Sequence, residues 1–221
     1  MENLFKFDLR RGSRWPLKDF CDALHRTHTN SSQLGVVAIQ HRKRVYTTFQ
    51  HEFAILDVVP LVPGTGTPQA EGSHTYVEVG RMGYNIWGFA RDEVLVLRQA
   101  DEASVEKENS SRDSQYGEHL ATLSWETGIP CILDVFSLIT LLSLTFPRYN
   151  IITYQCFWFA RIIYEALRDG YGPFSENTGD KIWKRTRFYI FNRVLTPTPP
   201  LAILEFCYRQ RIWRELARSS T

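Results

Sequence analysis

Cys131 to Phe146 is an almost unbroken apolar run set between Pro130 and Pro147, and it constrains the fold more than any other stretch of the chain. Proline suits the first helical position, where a backbone N–H has no partner anyway, and it stops a helix that reaches it from the other side. The run carries an internal Asp134 and falls short of the roughly 20 apolar residues that a bilayer crossing needs. It therefore reads as a buried helix, with docking on a membrane surface as the alternative. A helix that is apolar on all sides must be covered by other elements, and the rest of the chain has to supply them.

The strands lie upstream. Gly35–Ile39, Val45–Phe49 and His51–Val59 are rich in Val, Ile, Tyr, Thr and Phe, with the charged stretch His41–Arg44 between them as a turn. Residues 60 to 73 are rich in Pro, Gly and Thr and read as a loop, followed by a strand at His74–Val79. Gly64-Thr65-Gly66 lacks the Lys and the strand-to-helix setting of a phosphate cradle. Residues 101 to 118 are polar and charged and form a surface excursion between two halves.

Helices close the picture. Ser13, Trp15 and Pro16 mark the start of an N-terminal helix ending around His25 and His28, in all about residues 13 to 28. A helix covers 156 to 169, and residues 171 to 221 form a helical extension broken at Thr196-Pro-Thr-Pro-Pro200. The fold class is α+β: one domain over 1–221, with an antiparallel sheet from about 35 to 98 packed against helices at 131–146 and 156–169.

A net charge of +2 is too small to steer the chain to nucleic acid. Cys21, Cys131, Cys156 and Cys207 are far apart and show no zinc-ligand spacing, and His25 with His28 has no third ligand nearby, so no metal or other cofactor is expected. The first residues include Glu2 and Asp8 where a secretory signal would be basic and then apolar, which gives the expectation of a cytoplasmic protein with reduced thiols. The sequence leaves the oligomeric state open.

One cysteine stands apart by position. Helical spacing aligns Cys156, Phe159, Ala160, Ile163 and Leu167 on one stripe, which puts Cys156 in the first turn. Unpaired N–H groups and the helix dipole favour a thiolate there, as a nucleophile requires. Taken alone, the position favours a space-filling thiol, because free Cys is among the most buried residue types.

A second motif gives the position its context. His51 opens an apolar strand as His-Glu-Phe-Ala-Ile-Leu, and Cys156 opens an aromatic helix as Gln-Cys-Phe-Trp-Phe-Ala behind the buried helix. This order resembles the circularly permuted papain-like cysteine enzymes, the group that includes lecithin:retinol acyltransferase and relatives of the NlpC peptidases. The resemblance spans roughly Gly35 to Gly170, and Gln155 departs from the Asn usual before the nucleophile. It implies that Cys156 attacks an ester, amide or thioester carbonyl and that His51 manages the proton. Glu78, or else His74, would be the third polar residue, and Gln155 a helper at the oxyanion. The acyl substrate would be a small molecule, a lipid or a peptide. Loss of activity on the same fold, leaving a binding or scaffold module, is the alternative.

Overall fold

A computed structural model describes residues 14–27, 34–44, 51–69, 74–83, 89–97, 118–147 and 156–178. In chain order these form β1 (Arg14–Pro16), α1 (Leu17–Thr27), β2 (Leu34–Arg44), β3 (His51–Pro60), β4 (Thr75–Gly83) and β5 (Ala90–Leu97). They continue as β6 (Glu118–Ser124), α2 (Ile132–Thr145), α3 (Cys156–Gly170) and β7 (Ser175–Thr178). The class is α+β: the strands make one antiparallel seven-stranded sheet in the order β1-β5-β4-β3-β2-β6-β7.

All three helices pack on one face of that sheet. Strand alternation sends Ala54, Leu56 and Val58 from β3, Val77 and Val79 from β4, and Val94 and Val96 from β5 into a single buried cluster. Phe20 of α1, Phe136 and Ile139 of α2, and Phe159, Ile163 and Leu167 of α3 belong to the same cluster. In β2 the register shifts between Val36 and Ala38, and this bulge lets Val36 and Ile39 both face the helices. Phe20 and Phe136 meet at a 4.8 Å centroid separation, which joins α1 to α2.

The helices at 131–146 and 156–169 are present within a residue of their expected bounds. Cys131, with extended backbone, caps α2, so Pro130 lies one residue outside the helix rather than in its first turn. The buried character of α2 holds for Ile132, Val135, Phe136, Leu138, Ile139 and Leu142, whereas Leu144 in its last turn is 73% exposed. Among the described residues no helix is long and apolar enough to cross a membrane.

Several expectations are corrected. His41–Arg44 is not a turn but the end of β2, paired to β3 on one side and β6 on the other. Its charges find partners on the sheet: His41 with Glu52, and Arg42 with Gln40. The expected strand at Val45–Phe49 lies outside the described residues. The N-terminal helix begins at Leu17, because Arg14–Pro16 pairs with β5 as an edge strand, where a proline without a donor is tolerated. The sheet also extends beyond 35–98 to include β6 and β7, so Ser175–Thr178 is strand where a helical extension is expected. Residues 179–221 lie outside the described set, as do 101–117 of the expected excursion, whose last residue, Glu118, opens β6. The 60–73 loop is a tight turn over its described part, bridged from Leu61 to Pro68, with Gly64 and Gly66 at positive φ where other residues would be strained.

Candidate functional site

Cys156 is the first residue of α3, as expected, and it is 6% exposed. It takes part in no disulfide. Gln155 lies outside the described residues.

The side of the sheet that His51 occupies follows from β3. Its pairing with β2 runs without a break from Ala38–Asp57 to Arg44–His51, so alternation is strict over this length. Ala54, Leu56 and Val58 face the helices, and by the same parity Glu52 does as well. His51, Phe53, Ile55 and Asp57 face the other way. Contacts agree with this assignment: the His51 ring stacks with Phe53 at 5.9 Å, and a side chain at Gly80 would meet its Nε2 at 3.2 Å. Val77 and Val79 face the helices, so Glu78 joins His51 on the far side.

The structure thus brings His51 and Glu78 together and does not bring His51 to Cys156. With Arg14, Gly80 and Glu93 they line a shallow cleft on the far face, over β3, β4 and β5. Arg14 donates to Glu93 at 3.1 Å and Arg91 does so at 2.8 Å, which offsets part of the acidity there. Glu78 is 6% exposed, so it is not the solvated surface carboxylate that its alternating strand suggests. The cleft can hold a small polar group among an imidazole, a guanidinium and two carboxylates, and the described residues that line it include no thiol or hydroxyl.

His74, the other candidate third residue, immediately precedes β4. Its Nδ1 donates to Asp57 Oδ1 at 2.8 Å, and its ring stacks with Tyr76 at 6.5 Å. Burial pushes the Asp57 carboxyl above the ordinary carboxylate range, and the hydrogen bond and charge of His74 pull it partly back. The fold thereby disfavours ionised Asp57, whose contribution to stability is intact at low pH and is lost as pH rises through the folded-state pKa. Asp57→Asn lacks this dependence. The stability of the native chain relative to Asp57→Asn, from urea unfolding, is expected to fall as pH rises above about 4. A difference that grows over that range would mean that His74 outweighs burial.

Two polar groupings on the helix-bearing face were not legible from the motifs. His41, 5% exposed, donates through Nε2 to Glu52 Oε2 at 2.7 Å, and Lys43 stands 4.0 Å from Glu52 Oε1. The His41 ring lies 6.2 Å from Tyr164, whose hydroxyl donates to Glu176 at 3.0 Å. The second grouping is Arg81 with Asp92, a fully buried, two-pronged ion pair. The signal for Glu52 was present in the sequence: parity along His51-Glu52-Phe53-Ala54 assigns His51 and Glu52 to opposite faces. It was obscured because Phe53, Ala54, Ile55 and Leu56 are all apolar, and all four are buried.

Burial raises the thiol pKa of Cys21, outweighing its contact with Thr140, and does the same to Cys131 at the α2 cap. Neither is a thiolate near neutral pH, so both serve as internal standards for an unactivated thiol. Among the described residues no group of three His, Cys, Asp or Glu side chains is arranged to hold a metal ion.

No protein-family model, curated protein or solved structure matches the chain.

Proposed function

We propose that the chain is a binding or scaffold module on the permuted papain-like plan, in which Cys156 is not paired with His51 as a catalytic dyad. The parity of β3 carries this reading, since it leaves the sheet between the imidazole and the helix that opens on Cys156. Support for the plan itself comes from the element order. A strand opens on His51, a buried helix follows β6, and a second helix opens on Cys156 and packs across the strands. The partner is an acyl-bearing small molecule, lipid or peptide, the class implied by the resemblance, bound without transfer of the acyl group.

The second reading, a thiol hydrolase or acyltransferase, has one observation in its favour: Cys156 lies in the first turn of α3, where the positive end of the helix dipole favours a thiolate. It needs a base other than His51. His41 is on the correct face but packs beside Tyr164, which is about 12 Å along the helix axis from Cys156.

Iodoacetamide labelling of the folded chain near neutral pH, read for each cysteine by peptide mass spectrometry, separates the two. The binding module predicts that Cys156 reacts no faster than Cys21 and Cys131. Labelling of Cys156 faster by about tenfold or more, in keeping with an activated thiol, would replace it with the thiol enzyme.

A further inference from the structure

We infer that Arg81 is the positioning residue for Cys156, holding the thiol in its buried place by fastening the end of α2 and the first turn of α3 to one guanidinium. Arg81 projects from β4 into the helix-bearing face and is 0% exposed. Its Nε and Nη2 donate to the two oxygens of Asp92 on β5, at 2.7 and 2.8 Å. The remaining contacts go to the helices. Nη1 donates at 2.9 Å to the carbonyl of Phe146, the residue that caps the C-terminus of α2. The guanidinium carbon also lies 4.4 Å from the centre of the Phe159 ring, in the first turn of α3.

A fork joining β4 to β5 would need only Asp92. The additional contacts involve the two elements that flank Cys156 in the sequence, and a third contact closes the group: the Phe146 ring meets Trp158 edge-on at 4.8 Å. Cys156 is three residues before Phe159 and so neighbours it on the helix surface. Displacement of Phe159 therefore carries the start of α3 with it. Lysine cannot substitute for this arrangement, because a point-like ammonium does not bond both carboxylate oxygens, reach a carbonyl and cover a ring at once.

Positioning by Arg81 applies whether Cys156 is a nucleophile or a packed thiol. The relative labelling rates in the native chain test that question, whereas the ratio of variant to native rates tests Arg81. A buried thiol is alkylated through local opening, so its rate reports how firmly its surroundings are held. In full-length Arg81→Lys, Cys156 is expected to label about tenfold faster or more, with the rates of Cys21 and Cys131 unchanged. An unchanged Cys156 rate in folded Arg81→Lys overturns the inference, as does equal acceleration of all three cysteines. If Arg81→Lys shows no cooperative unfolding transition, Phe159→Leu decides, since it removes the ring and leaves the Arg81–Asp92 pair. Selective, severalfold acceleration at Cys156 then supports the inference, and its absence overturns it.

Discussion

Asp92→Ala is expected to lower the stability of the fold by about 3–5 kcal/mol, the usual cost of removing one member of a buried ion pair. Arg81 has no water to turn to, being wholly enclosed, while the Asp92 side chain is only 3% exposed. Removing the carboxylate leaves a guanidinium that still bonds the Phe146 carbonyl and still covers Phe159 but has lost the only counter-charge bonded to it among the described residues. The loss exceeds that of an ordinary surface ion pair, which is worth at most about 1 kcal/mol. Arg14→Ala provides that comparison: Arg14 meets Glu93 at the sheet edge with its own side chain 53% exposed. Urea unfolding of both variants checks the contrast. A cost for Asp92→Ala no larger than that for Arg14→Ala would mean that the pair is solvated or dispensable.

Trp158→Ala is expected to cost about 3–5 kcal/mol, through lost burial and through the cavity left behind. Trp158 is 1% exposed and belongs to the cluster shared by sheet and helices, with its ring against Phe146. Its neighbours come from a helix end and a sheet, which collapse poorly into a gap of that size. Trp158→Phe keeps most of the volume and is expected to recover more than half of the loss in the same unfolding measurement. Equal losses for Ala and Phe would show that the indole ring is not the packing element described.

Much of the fold was legible because the apolar patterns are long. The prolines at 130 and 147 and the stripe through Phe159, Ile163 and Leu167 are strong local signals, and the corresponding helices form. The short strands carried no such signal. Ser175-Glu176-Asn177-Thr178 is exposed and polar throughout, and it is a strand only because the edge of β6 lies beside it. Arg14–Pro16 is three residues long and owes its state to β5. At His41–Arg44 the charges suggested a turn, but tertiary pairing decided: His41 is buried against Glu52 within a strand bonded on both sides.

The candidate site divides in the same way. Cys156 at a helix start is a local property, and spacing was sufficient to find it. The His51–Cys156 partnership is a property of the sheet, set by which parity of β3 faces the helices, and a short motif around His51 contains no reference to that face. Glu78 and His51 share a face, as alternation along their strands allows, but it is the face away from the helices. The Arg81–Asp92 pair was not found because β4 and β5 must first be placed in register before those positions meet.

The central claim, that the sheet separates His51 from Cys156, is tested most directly by the pH profile of Cys156 alkylation in the native chain and in His51→Ala. The two profiles are expected to superimpose, because an imidazole on the far face cannot set the ionisation of a thiol on the helix-bearing one. A lower-pH limb for Cys156 in the native chain that disappears in His51→Ala would contradict this and restore the dyad.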